Sequence, residues 1–114
     1  MLVRNYQDVA PIPTDRESVQ KRVVIGPRQG APNFVMRIID VAAGASPPPH
    51  SHDWEHEVLV LNGEALLMGE KEQTPVKAGD AIYIPPNEKH GWVIKGNSTF
   101  RFVCVVPTRG EDTP

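Results

Sequence analysis

The sequence predicts an all-β domain, a sandwich or barrel of short antiparallel strands. Two observations carry this. Twelve prolines and nine glycines in 114 residues stand as punctuation between short apolar runs, a pattern that argues against long helices. Those runs recur at near-regular spacing with a turn signal in each gap, as in sandwiches and barrels. The length suits one domain with its own core.

Residues 1–32 are the least legible. Thr14-x-x-Glu17 has the form of a capping box and would open a short helix, although no periodic apolar face follows it. "RVVIG" predicts a strand at a sheet edge or against a second subunit. From residue 33 the runs are clear: "NFVMRIIDVA", "HEVLVL", "EALLM", "TPVK", "DAIYI", "HGWVI" and "STFRFVCVV". Between them stand Gly44, Asn62-Gly63, Gly69, Ala78-Gly79-Asp80, Pro86-Asn87 and Gly96-Asn97. Asn62-Gly63 predicts a type I′ hairpin, which needs positive φ at both central residues. The expected organisation is an N-terminal segment, 1–32, packed on the barrel or on a dimer partner. A barrel follows over 33–107, then a C-terminal tail, 108–114.

Charge and composition exclude several classes. The formal net charge is −2, and basic runs such as Lys21-Arg22 are two residues long, so no nucleic-acid footprint is visible. The single cysteine, Cys104, forms no intramolecular disulfide and fits a reducing compartment. The first 25 residues carry charges throughout with no apolar signal core, and no run approaches the roughly 18 apolar residues of a membrane span. A soluble, cytoplasmic protein is expected.

The chemistry concentrates in "PPPHSHDWEHE", which holds three of the four histidines. His50 and His52 are two apart, so on an extended strand both rings share a face with Cα atoms roughly 6.5–7 Å apart. Rings so placed can converge on one ion at about 2 Å. His56 keeps the same parity across a bend at Asp53-Trp54, and His90 opens a later strand after paired prolines. The alternative for His-x-His is a solvated strand face. The prolines before His50 restrict the chain and lower the entropy of ordering it.

"GASPPPHSHDWEHEVLVLNG" resembles the first motif of the cupin superfamily, G-x5-H-x-H-x(3,4)-E-x6-G, with Gly44, His50, His52 and Gly63 in register. "GDAIYIPPNEKHGWVI" resembles the second, G-x5-P-x-G-x2-H-x3-N, through Gly79, Pro85 and His90. Asn87 replaces the middle glycine, tolerable because asparagine also visits the left-handed region, and Ile94 stands where the last asparagine would be. Counting back six residues from Gly63 lands on His56, where most cupins carry a ligand glutamate; Glu55 and Glu57 flank it. The chain is similar, over 21–107, to small single-domain cupins that bind manganese or iron through four imidazoles.

That resemblance implies a double-stranded β-helix, the cupin jelly-roll barrel. It implies metal ligands His50, His52, His56 and His90, with Glu57 in place of His56 as the competing assignment. Mn(II) or Fe(II) is the expected cofactor, with Zn, Ni or Cu as alternatives. Four neutral imidazoles leave the +2 charge of an ion uncompensated, favouring an anionic small-molecule ligand. Octahedral coordination leaves two positions open, whereas tetrahedral zinc would be closed and structural. The expected function is oxidoreductase chemistry, a dioxygenase or peroxide-using oxygenase on a small organic substrate. The alternatives are a redox-neutral isomerase or lyase, and a non-catalytic binding module. By analogy with related small cupins a homodimer is expected.

Around the ion, parity groups Phe102 and Cys104 with Phe100 on one face, opposite Arg101, and places Trp92 with His90. The competing role for each is plain barrel core. Arg37 is a pocket candidate that could reach an anionic substrate; the period of "FVMRIID" does not settle its face, and an exposed arginine is the expectation. Glu55 and Glu57 would hydrogen-bond ligand N–H groups or stand as solvated charges. Trp54 would be a lid or a packing residue at the bend, and Cys104 an inert thiol.

Overall fold

Every apolar run from residue 33 onward becomes a strand. The computed structural model describes residues 1–111, with β1 at Ile12–Pro13, β2 at Val19–Ile25, β3 at Phe34–Val41 and β4 at His56–Asn62. There follow β5 at Glu64–Met68, β6 at Gln73–Lys77, β7 at Ala81–Ile84, β8 at Gly91–Lys95 and β9 at Phe100–Pro107. They form a six-stranded sheet, β1-β2-β3-β9-β4-β7, and a three-stranded sheet, β6-β5-β8, antiparallel throughout. This is the jelly-roll double-stranded β-helix. No helix is long and apolar enough to cross a membrane among the described residues.

Strand alternation builds the core. On β9 Phe100, Phe102, Cys104 and Val106 point inward, and on β4 His56, Val58 and Val60 do so. Ala65, Val76, Trp92 and Ile94 of the small sheet complete the same cluster. The rings of Trp92, Phe100 and Phe102 pack as a triad with centroids 5.0–5.4 Å apart. Phe100 is 0% exposed, so Phe100→Ala leaves a cavity and is expected to cost about 3–5 kcal/mol. Urea unfolding would show this as a lower midpoint; a loss below about 1 kcal/mol would contradict the packing described.

Two local expectations are corrected. Asn62-Gly63 is not a type I′ hairpin: Gly63 has φ 86° but Asn62 is not left-handed. Asn62 instead ends β4, paired with Arg101, and its Nδ2 donates to Thr99 O at 2.8 Å. The chain then turns a corner into the other sheet, and a Cβ on Gly63 would sit 2.8 Å from Thr99 O. Likewise, Thr14 opens no helix. Its Oγ1 accepts from Arg16 N at 3.1 Å and lies 2.8 Å from both Arg16 O and Val19 O, closing a local turn that feeds β2.

Within residues 1–32, β1 and β2 extend the edge of the large sheet, and residues before β1 meet charged side chains of β2 and β9. Asp40 and Arg101, paired across β3 and β9, meet through bonds of 2.7 and 2.9 Å. Arg22 reaches Asp40 at 3.2 Å and Val9 O at 3.0 Å, and Arg101 donates to the Tyr6 hydroxyl at 3.2 Å. At the other end, residues 108–111, set apart above with the tail, fold back as a 3-10 turn ending in the buried Glu111. Residues 112–114 lie outside the described residues.

Candidate metal centre

Main-chain hydrogen bonds bring the two histidine segments together. His50 and His90 form a single antiparallel bridge, each N–H donating to the other's carbonyl at 2.9 Å. The Asn87 N–H donates to His52 O. Asn87 has φ 69°, so the left-handed turn expected at that position is present. His56, first residue of β4, alternates inward and is buried.

The side chains meet at one end of the barrel. Ligand nitrogens of His50, His52 and His90 all lie within 4.8 Å of one another, a grouping suited to a divalent ion. Ring centroids of His50 and His52 are each within 5.8 Å of His90, at 4.6 and 5.8 Å. The His56 ring lies 5.0 Å from His90 and 5.3 Å from His52.

Two rings have one nitrogen tied back into the protein. His90 Nδ1 lies 2.9 Å from Glu88 O; a carbonyl only accepts, so Nδ1 carries the proton and a neutral ring keeps its lone pair on Nε2. His56 Nδ1 lies 3.2 Å from Cys104 Sγ, and its Nε2 is buried without a hydrogen-bond partner. A buried polar atom left unpaired is costly, which makes this nitrogen the most informative atom of the site.

Trp92, Phe102 and Cys104 line an inner cavity of about 190 Å³ together with the four histidines. Arg37, expected to be exposed, instead faces inward with a side chain 12% exposed; it donates to Cys104 Sγ at 2.9 Å and to Glu111 at 3.2 Å. Glu57 is corrected. It alternates to the outer face of β4, exposed, and with Glu55 borders a surface groove beside Phe34 and Pro107, away from the histidine rings.

Trp54 is a packing residue, stacked on His52 with centroids 4.5 Å apart and planes at 3°. It borders an outer vestibule of about 560 Å³ that shares His50, His52, His56 and Arg37 with the inner cavity. Lys21, Arg109, Gly110 and Glu111 escaped sequence reasoning. They come from β2 and the C-terminal turn, and no local pattern marks either segment as part of a site.

Burial, with the neighbouring histidines and Arg37, pushes the His52 pKa down to about 4. Burial, followed by His90 and Arg37, pushes His56 down to about 3, and burial lowers His90 as well. The unfolded chain takes these protons near 6.5, so below that pH it binds more protons than the folded chain. Stability contributed by the neutral rings is therefore full above pH 6.5 and is lost progressively as pH falls toward about 3. Thermal melts of chelator-treated protein should show a midpoint falling steadily below pH 6.5; a flat profile down to pH 4 would contradict this placement of the rings.

The profile of the cupin domain family (Cupin_2) matches residues 37–106. Among solved structures, the polyketide cyclase RemF from Streptomyces resistomycificus superposes with a TM-score of 0.87 at 34% identity, covering 100% of this chain and 82% of that one. The uncharacterized protein MJ1618 of Methanocaldococcus jannaschii is 34% identical over 76 residues, 64% of this chain and 61% of that protein. An oxalate-binding protein of Thermotoga maritima is 31% identical over 64 residues, 55% of this chain and 53% of that protein. The aligned regions thus span little more than half the length of these two relatives.

Proposed function

This chain belongs to the cupin domain family, and on that premise we propose that it is a metal-dependent, redox-neutral cyclase. His50, His52, His56 and His90 would hold one divalent transition ion, and the substrate would be a small polycarbonyl compound of the polyketide class. The observation that carries the metal assignment is His56 Nε2, buried and unpaired beside the three-histidine cluster. The likeness to a polyketide cyclase along the whole chain supports the reaction class.

When bound, the ion would supply Lewis-acid polarisation of the substrate oxygens. The remaining work falls to the chain. No carboxylate lines the inner cavity among the described residues, so charge developing on a substrate oxygen meets cationic and neutral groups only. Arg37 lines the cavity, where its guanidinium places fixed positive charge near such an oxygen. Trp92, Phe102, Val58 and Ile84 give apolar walls that exclude water and suit a flat ring product. An aldol-type closure balances without an oxidant: a C–C bond forms, and the proton lost from carbon is regained at the carbonyl oxygen.

The oxygenase is the competing reading; the Cys104 thiol 3.2 Å from His56 is buried, and burial pushes its pKa up, so it would stay a thiol in either chemistry. A reducing, cytoplasmic setting would keep that thiol intact. Anaerobic incubation of the manganese-loaded protein with a linear polyketone should yield ring-closed product. Turnover only with consumption of oxygen or peroxide would replace this reading with the oxygenase, and tight binding without turnover would replace it with a binding module.

The same proposal includes a homodimer. Phe34, Met36, Leu59, Leu61 and Tyr83 are exposed together on the outer face of β3, β4 and β7, with Glu57 among them. Met1, Leu2 and Val3 form an exposed apolar arm followed by Arg4, complementary to that face in polarity and charge. A second copy of the chain is the occupant these features fit. Sedimentation should give a dimer that Leu59→Glu with Tyr83→Glu converts to monomer; a monomeric parent would refute it.

A further inference from the structure

Glu111 ends the described chain with a side chain only 1% exposed. Its Oε2 accepts from Lys21 Nζ at 2.7 Å and its Oε1 from Arg37 Nη1 at 3.2 Å. Arg37 Nη2 in turn donates to Cys104 Sγ at 2.9 Å, and that sulfur lies 3.2 Å from His56 Nδ1. One line of contacts therefore runs from the C-terminal turn into the metal centre. The turn itself is pinned. Arg109 donates to Asp53 Oδ1 at 2.8 Å and Asp53 O at 3.1 Å, and Gly110 packs so closely on Trp54 that a Cβ would lie 2.8 Å from Nε1.

We propose that Glu111 is a positioning residue for the metal centre, fixing the ring orientation and tautomer of His56 through Arg37 and Cys104. The argument is one of donors and acceptors. A guanidinium only donates, so Arg37 needs Glu111 as its counter-ion to stay buried beside the sulfur. Held there, it fixes Cys104 in place as the acceptor for a His56 Nδ1–H. That proton position leaves the lone pair on Nε2, the buried nitrogen without a partner. A histidine's second nitrogen commonly fixes which nitrogen binds metal, and removing its partner weakens binding about 10–100-fold. Here the acceptor is a cysteine sulfur, held by a salt bridge from a segment that carries no ligand.

The inference rests on His56 being a ligand, and the variants keep the two apart. Zinc affinity would be measured by chelator competition for the parent, Glu111→Gln, Cys104→Ala, the double variant and His56→Ala. The ¹⁵N shifts of His56 would be recorded in the chelated protein. Glu111→Gln and Cys104→Ala should each weaken zinc about tenfold or more, the double variant no more than the stronger single one, because they act through one path. The parent should show the Nδ1–H tautomer, and Cys104→Ala a mixture. Parent-like affinity in a folded Glu111→Gln, or multiplying losses in the double variant, overturns the proposal. Should Glu111→Gln fail to fold, Cys104→Ala decides alone, and unchanged affinity with an unchanged tautomer overturns it. Parent-like zinc binding by His56→Ala would instead sink the four-histidine reading beneath it.

Discussion

Replacing His90 by alanine is expected to raise the zinc dissociation constant by at least about three orders of magnitude. Its ring lies 4.6, 5.8 and 5.0 Å from those of His50, His52 and His56, closer to the whole group than a peripheral ligand would be. Its Nδ1 is committed to Glu88 O, so the loss removes an oriented lone pair and not a mobile side chain. Structural metal sites bind with free energies on the order of 10 kcal/mol, and losing one of four ligands costs several of these. Each 1.4 kcal/mol is about a tenfold change. The fold should survive, because the bridge to His50 uses only main-chain atoms of residue 90. Calorimetric titration on protein with parent-like circular dichroism checks this; retained affinity would remove His90 from the centre.

His56 is the position at which the chain departs from the commonest pattern of its family, and it sets the second large effect. His56→Ala should lose the metal as His90→Ala does, whereas His56→Glu should retain it with a carboxylate in place of the imidazole. The carboxylate cancels one unit of positive charge, so azide should bind the loaded variant more weakly than the parent. Harder oxygen donation should also shift preference from copper toward manganese or iron. Glu57→Ala should change neither property, because strand alternation turns Glu57 to the outer face. Loss of metal in Glu57→Ala with retention in His56→Ala would reverse the assignment.

The strands were legible because turn formers bracket each of them, and inward residues follow from period two once a strand is known. Parity groups Phe102 with Cys104 and Trp92 with His90, whereas the family motif singles out His56 over Glu57, since a bend separates it from His50 and His52. Asn62-Gly63 misled because the dipeptide reports a bend and not which strands flank it as partners; here β4 pairs with β7 and β9, and β5 with β6 and β8. Arg37 stayed open since β3 does not alternate cleanly: Val35, Ile38 and Val41 are all buried while Arg37 and Ile39 are half-buried. Glu111 was beyond reach for a different reason. Its partners lie 74 and 90 residues away in sequence, and nothing local distinguishes a buried acid from a solvated one in a charged C-terminus.

The central claim is that four imidazoles converge on one ion, and anomalous diffraction from crystals grown with zinc or manganese tests it most directly. The account predicts a single anomalous peak per chain about 2 Å from a nitrogen of each of His50, His52, His56 and His90, with Nε2 as the ligating atom of His56 and His90. A peak bound by His50, His52 and His90 with His56 Nε2 left outside the coordination sphere, or no peak in the barrel at all, would contradict it.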